Sequence, residues 1–281
     1  MTSHEKIRIY SFYYKPTPIP VQNNLYIPVM AGSAMLKSSC GMQGDHTGDS
    51  ISEKNQHYSE LTGIYWTWKN TRQDVVGCCH YRRYFTAVQE PFGNRLKRLL
   101  YFATGLYRKR FGLIYTSNIE RYRSRIISEK EVREILMNYD TILPQRRKLK
   151  YTVKVHYSRY HNIKDLEILE AILADKHPEY VPGFKKVLEG KRLYANNMFI
   201  MRDNHFQQFM NWWFDILFEY EKRVDLSNYR DYQQRIMGFL GERLLTVWFC
   251  HHNLKVKELQ VIYFKKLKNK RDKTLPESSN P

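Results

Sequence analysis

Residues 45–85 read DHTGDSISEKNQHYSELTGIYWTWKNTRQDVVGCCHYRRYF. Within them Ser59–Asn70 is predicted to be a helix, because Leu61, Tyr65 and Trp68 recur at three- and four-residue spacing and share one face. Val75–Cys79 is a short apolar run of strand type, and His80-Tyr81-Arg82-Arg83 lies just past its C-terminal end. The same stretch holds Asp45, Asp49, Glu60, His80, Arg82 and Arg83 beside Tyr65, Trp66 and Trp68. A segment that only filled a core would not need so many charged groups around an apolar helix and strand. It reads as part of a binding site.

Outward from this segment, helices and strands alternate. Ile7–Tyr14 is a β-rich run ended by Lys15-Pro16, and Tyr26–Met35 supplies a second short strand or a turn of helix. Ser128-x-x-Glu131 is a capping box opening a helix to about Asn138, and Tyr139–Leu143 is a strand stopped by Pro144. Ile163–Ala174, Phe206–Arg223 and Arg235–His251 are helical, while Asn197–Met201 and Leu259–Phe264 are strands. Strands separated by helices predict an α/β fold: one mostly parallel sheet flanked by helices. The expected domain spans 1–264, interrupted at 90–125 by a basic amphipathic insertion in which Arg95, Lys97, Arg98 and Arg108–Arg110 alternate with apolar residues. A loose basic tail, 265–281, follows.

At 281 residues the chain can bury one sizeable core, and 42% hydrophobic with 15% aromatic residues excludes disorder. A net charge of +18 points to a polyanionic partner: nucleic acid, anionic lipid or a phosphorylated substrate. The four cysteines have no metal-ligand spacing, and Cys78-Cys79 read as buried free thiols of a reducing compartment. The start has no signal-peptide run, and no stretch of about 18 apolar residues occurs. A cytoplasmic protein, dissolved or peripheral on the membrane, is expected.

Ligands of open α/β sheets bind at the carboxyl ends of strands. His80, Arg82 and Arg83 sit at such an end, and guanidinium forks suit a pyrophosphate; a salt-bridged surface corner is the plainer alternative. Asp45-x-x-Gly48-Asp49 could accept hydrogen bonds from sugar hydroxyls, ligate a hard cation or form a simple Asx-turn, and Asn55 and Glu60 extend the same wall. Charges of both signs next to rings suit a nucleotide-sugar, although Tyr65, Trp66 and Trp68 fit a core better than a stacking platform. Asn196-Asn197 before a strand is a candidate hydroxyl-binding pair or an ordinary turn, and His156, Tyr157 and His161 form a further polar-aromatic cluster that singles out no one ligand. Glu242 in an apolar helix is a candidate general base, or else an ion-pair partner of Arg235 or Arg243. The 94–111 stretch is either a contact with an anionic membrane surface or a solvated hairpin.

Five spaced blocks in one order carry a resemblance. They are Asp45-x-x-Gly48-Asp49-x-Ile51-Ser52-x-x-Asn55, Glu60-Leu61-Thr62-Gly63-x-Tyr65-Trp66-x-Trp68-Lys69-Asn70, Gly77-x-x-His80-Tyr81-Arg82-Arg83-Tyr84-Phe85, Asn197–Met201, and Arg235-x-x-Gly238-Phe239-x-x-Glu242-Arg243-Leu244. They resemble a family of bacterial capsule, exopolysaccharide and O-antigen glycosyltransferases whose founding members are galactofuranosyltransferases. The resemblance implies a GT-A-like nucleotide-sugar transferase fold and inverting transfer of galactofuranose from UDP-galactofuranose. The implied acceptor is a glycan on undecaprenyl diphosphate at the inner face of the cytoplasmic membrane. Donor contacts then fall to His80, Arg82, Arg83, Asp45, Asp49, Asn55, Glu60 and Lys69, and acceptor contacts to Asn196, Asn197, Tyr157 and His161. Glu242 is the expected base, with Asp203 second.

Transferases of this fold usually carry Asp-x-Asp after the fourth strand to hold a divalent metal. Here that exit is His80-Tyr81-Arg82-Arg83, so no metal is expected on the diphosphate, although Asp45 and Asp49 leave room for one elsewhere. A nucleic-acid binder is the first rival, but it needs aromatics interleaved with cations on one strand face. A non-catalytic scaffold of a glycan-assembly complex is the second.

Overall fold

The computed structural model describes residues 5–36, 41–88 and 112–265, with Leu96, Leu100 and Leu267. Most of the 90–125 insertion and nearly all of the 265–281 tail lie outside the described residues. Leu96 and Leu100 are helical and exposed. Leu113–Thr116, at the end of the expected insertion, is a strand of the main sheet.

The strands are β1 (Ile7–Tyr13), β2 (Tyr26–Met30), β3 (Gln43–Gly44), β4 (Val75–His80), β5 (Arg83–Thr86), β6 (Leu113–Thr116), β7 (Thr141–Pro144), β8 (Arg147–Lys148), β9 (Arg192–Leu193), β10 (Phe199–Arg202) and β11 (Val256–Phe264). All except β8 and β9, which pair with each other, join one sheet. Its first half is parallel: β3 pairs β2, β2 pairs β1, and β1 pairs β4. The second half is mixed. β10 runs antiparallel to both β4 and β7, and β11 pairs β5 antiparallel but β6 and β7 parallel. The sheet is therefore mixed rather than mostly parallel. The reversal starts at Tyr81-Arg82, a two-residue turn that folds β4 back into β5 through the pair His80–Arg83. Two residues suffice to join antiparallel strands, whereas a parallel crossover needs a dozen or more.

The helices are α1 (Asn55–Tyr58), α2 (Leu61–Asn70), α3 (Ile119–Arg123), α4 (Glu129–Leu136), α5 (Val153–Ser158), α6 (Lys164–Lys176), α7 (Val181–Glu189), α8 (Asp203–Arg223) and α9 (Ile236–His251). The capping box at Ser128 forms as expected, with hydrogen bonds in both directions between Ser128 and Glu131. Helices α2 and α6–α9 cover one face of the sheet over a core rich in aromatics, including Phe209 stacked on Trp213 and Trp68 stacked on Phe214. The other face is closed mainly by α4 and the chain around Ile126-Ile127. Tyr65, Trp66 and Trp68 belong to the first core, the plainer of their two readings. Gly63 lets α2 lie directly on Phe12 of β1, where a Cβ would meet the ring. Cys78 and Cys79 are buried and free. No helix among the described residues is long and apolar enough to cross a membrane.

Candidate active site

Strand β1 lies between β2 on one side and β4 on the other, so the chain winds away from it in both directions. Such a switch point leaves a crevice at the carboxyl ends of the two central strands. A cavity of about 470 Å³ occupies it here. Phe12, Tyr13 and Tyr14 line it from the end of β1, and His80, Tyr81, Arg82 and Arg83 from the β4–β5 turn. Asn55, Ser59 and Glu60 enter from the α1–α2 junction, and Asp231, Gln234 and Arg235 from the connection between α8 and α9.

Glu60 is the hub. Its Oε1 accepts a hydrogen bond from Asn197 Nδ2 at 2.9 Å and lies 3.9 Å from His80 Nε2, and its Oε2 meets the Arg235 guanidinium at 3.3 Å. Ser59, with a left-handed φ of 53°, breaks the helix between α1 and α2; its Oγ accepts from Arg235 Nε at 2.9 Å. Burial alone would raise the Glu60 carboxyl, but His80, Arg235 and the Asn197 amide outweigh it and hold Glu60 below the usual carboxylate range.

His80 donates from Nε2 to the Asn196 carbonyl. A carbonyl only accepts, so Nε2 carries the proton and Nδ1 is an acceptor in the neutral ring. Burial pushes the imidazole down to about 4; Glu60 opposes this, and Arg83 and Arg235 reinforce it. With His80 neutral at pH 7, Arg235 and Asn197 are what keep Glu60 charged.

Asn196 and Asn197 form the joint that ties these groups together. Both adopt left-handed backbone, φ 82° and 46°, which Asn tolerates better than most residues. The Asn196 N–H donates to Glu242 Oε1 at 2.7 Å while its carbonyl holds His80. Asn197 Nδ2 bridges Glu60 and the Gly238 carbonyl, and among the described residues its buried Oδ1 has no partner. Four of the five sequence blocks thus meet at one turn.

The expected site residues divide accordingly. His80, Arg82, Arg83, Asn55 and Glu60 line the cavity, and Asn196 and Asn197 stand immediately behind it. Arg82 packs its guanidinium against Tyr81 and Tyr263 at 4.8 and 5.2 Å, and among the described residues it has no ion pair. The rest are elsewhere. Asp45 is fully buried, its carboxylate accepting from Gly32 N, Ser33 N, Ser33 Oγ and Ser52 Oγ. It anchors a loop and has no access to a ligand in the cavity. Asp49 is exposed and accepts from Tyr65 Oη, and Lys69 lies 3.5 Å over the Trp68 ring. Tyr157 is buried and donates to Asp165, while half-buried His161 bonds Gln233 and packs on Phe239.

Both expected bases change position in the account. Glu242 does not line the cavity, and its second oxygen meets buried Arg243 at 3.2 Å, the ion-pair alternative. Asp203 opens α8 and accepts from Gln207. Because β10 runs antiparallel to β4 with Arg202 opposite Val75, Asp203 sits at the amino end of β4. The five residue steps up that strand to His80 span about 16 Å. The sequence reading missed Asp231, Gln234 and, as a partner of Glu60, Arg235. Only the Arg235-to-Glu242 block hinted at them. Among the described residues, no group of three or more His, Cys, Asp or Glu side chains is placed to hold a metal ion.

A solved structure described as "WbbM bifunctional glycosytransferase apo structure" is similar to this chain, with a TM-score of 0.81 and 29% sequence identity. The likeness covers 93% of this chain and 46% of that one, so the chain spans about half the length of that protein. No curated protein matches the sequence. Residues 8–253 match the family described as a domain of unknown function, DUF4422, and the chain belongs to that family.

Proposed function

We propose that this chain is a glycosyltransferase whose cavity binds a nucleotide-diphosphate-sugar. The observation that carries the reading is the set of guanidiniums from Arg82, Arg83 and Arg235 around a cavity at the switch point of the sheet. Fixed cations there stabilise the negative charge that grows on a departing diphosphate, and they do so without reorganising in the transition state. Likeness to a bifunctional glycosyltransferase supports the same reaction class. In its finer form, the reading is inverting transfer of galactofuranose from UDP-galactofuranose. The acceptor is a glycan on undecaprenyl diphosphate at the cytoplasmic membrane, in capsule, exopolysaccharide or O-antigen synthesis.

In this mechanism Arg82 and Arg83 hold the diphosphate. Glu60, kept ionised by Arg235 and Asn197, accepts hydrogen bonds from donor hydroxyls, and Asn55 lies on the same wall. His80 offers its Nδ1 lone pair to a hydroxyl while Asn196 fixes the ring. The cavity's described carboxylates are Glu60, ion-paired to Arg235, and Asp231. A magnesium ion on a diphosphate would need only one or two carboxylates besides phosphate oxygens and water, so the choice of guanidiniums as the counter-charge rests on their number around the cavity, and EDTA tests it. No step is routed through a metal.

The test is UDP release by purified protein with a panel of UDP-sugars, including UDP-galactofuranose from a coupled mutase, a galactoside acceptor, and EDTA in half the reactions. Acceptor-dependent release that survives EDTA is expected. Release abolished by EDTA would move the counter-charge to a metal. Donor binding without turnover for any sugar and acceptor would leave a scaffold in place of an enzyme.

A further inference from the structure

We propose that the connection between α8 and α9 builds the acceptor subsite: Asp231 takes the proton of the attacking hydroxyl and Tyr232 carries the acceptor's sugar ring. The inference rests on the transferase reading, and four observations lead to it.

Asp231 lines the cavity, and among the described residues its exposed carboxylate has no hydrogen bond or ion pair. Every other carboxylate considered for this role is occupied. Glu60 is held by Asn197 and Arg235, Glu242 by Asn196 and Arg243, and Asp203 by Gln207 at the far end of β4. Backbone geometry singles out the same residue. Asp231 has a left-handed φ of 50°, a conformation that glycine adopts more readily and that concentrates at functional sites.

Tyr232 follows directly and is 62% exposed, large for an aromatic beside a cavity. Phe239 supports its ring at 5.1 Å, with the Arg235 guanidinium 6.0 Å away. A hexose presents a C–H face and a rim of hydroxyls, which suits one rigid aromatic surface bordered by polar groups. Gln233 braces the segment from behind, donating to the Tyr160 carbonyl and bonding His161. Arg235, in the same short segment, reaches back to Glu60. The wall facing the acceptor is thereby coupled to the wall facing the donor.

The step balances within these groups. The Asp231 carboxylate accepts the hydroxyl proton as the acceptor oxygen bonds to the anomeric carbon. The bond from that carbon to the phosphate oxygen breaks, and its electron pair leaves on the diphosphate held by Arg82 and Arg83. The protonated carboxyl then returns its proton to solvent at the open mouth.

The experiment uses the full chain, calorimetric donor titration, and transfer to an octyl galactoside. For Asp231→Asn, transfer should fall by about two to four orders of magnitude, with donor affinity within threefold of wild type. Tyr232→Ala should raise the acceptor KM by roughly three- to tenfold, as loss of an aromatic contact implies, and leave the donor KM unchanged; Tyr232→Trp should restore it. Asp231→Gly relieves the left-handed backbone, so it should melt no lower than wild type and still lose transfer. Asp231→Asn transferring at more than a tenth of the wild-type rate would overturn the inference alone. So would Tyr232→Ala shifting donor and acceptor KM equally. A wild-type chain that binds none of the UDP-sugars would overturn it together with the transferase reading.

Discussion

Substituting Glu242 separates two accounts of one carboxylate. As a general base its loss removes a proton acceptor from the reaction; as the anchor of the Asn196–Asn197 turn its loss removes a hydrogen bond. In Glu242→Ala the nearly buried Asn196 N–H loses its 2.7 Å acceptor, and Arg243, with a side chain 3% exposed, keeps among the described residues the Phe239 carbonyl and the face of Tyr157. Breaking a fully buried pair costs about 3–5 kcal/mol. Glu242 is 23% exposed, so water screens part of this and about 2–3 kcal/mol is expected. For a chain of this size that lowers Tm by roughly 3–5 °C. Glu242→Gln keeps an oxygen for Asn196 but loses the charge-assisted bond to Arg243, worth about 1–2 kcal/mol after screening, or roughly 2–3 °C. No proton passes through residue 242 in this account, so Glu242→Gln should retain turnover to within about tenfold, whereas removing a true base costs about two to four orders of magnitude. Scanning calorimetry with acceptor-dependent UDP release decides. Glu242→Gln with near-normal Tm and donor affinity but under 1% turnover would refute the reasoning and return the base to Glu242.

Other outcomes follow from the same geometry. His80 falls from 6.5 to about 4 on folding, so the unfolded chain binds more protons between those values and stability rises with pH across the window. It should be full above pH 6.5 and lower by on the order of 3 kcal/mol near pH 4, with Glu60, held low, adding loss in the same direction at the acid end. His80→Gln should flatten the dependence of Tm on pH between 4.5 and 6.5, and an unchanged slope would contradict the assignment. Asp45→Asn should cost about 2–4 kcal/mol, because its carboxylate serves two N–H and two hydroxyl donors. UDP affinity should stay within twofold, and a large loss of UDP affinity would place Asp45 at the ligand after all. Gly63→Ala drives a Cβ into Phe12, which lines the cavity, and should cost about 1–3 kcal/mol. Its UDP affinity should drop with it; a variant as stable as wild type would show that α2 can move off β1.

The central frame was legible in the sequence because its signals are local. Leu61, Tyr65 and Trp68 at helical spacing, the apolar run Val75–Cys79 and the Ser128 capping box each specify an element within a few residues. The sheet's direction was not legible. Whether β5 returns antiparallel depends on a two-residue turn at Tyr81-Arg82 and on a partner, β11, about 175 residues away. Short elements such as α5 and α7 escaped because a single turn or two carries little periodicity. At the site, residue types were readable but partners were not. Glu242 and Glu60 look alike in sequence, and only the fold assigns Arg243 to one and Arg235 to the other. Asp45 and Asp49 share a loop and a charge, yet one is buried in hydrogen bonds while the other is exposed.

The central claim is that guanidiniums at the β4–β5 turn hold a nucleotide diphosphate at the switch point of the sheet. Calorimetric titration of UDP into wild-type protein and Arg82→Ala, with EDTA present, tests it most directly. Wild type should bind UDP, and the variant, losing charge-assisted hydrogen bonds worth about 1.5–3 kcal/mol, should bind roughly 10- to 150-fold more weakly. Equal affinity in the two proteins, or no heat from wild type, would contradict the account.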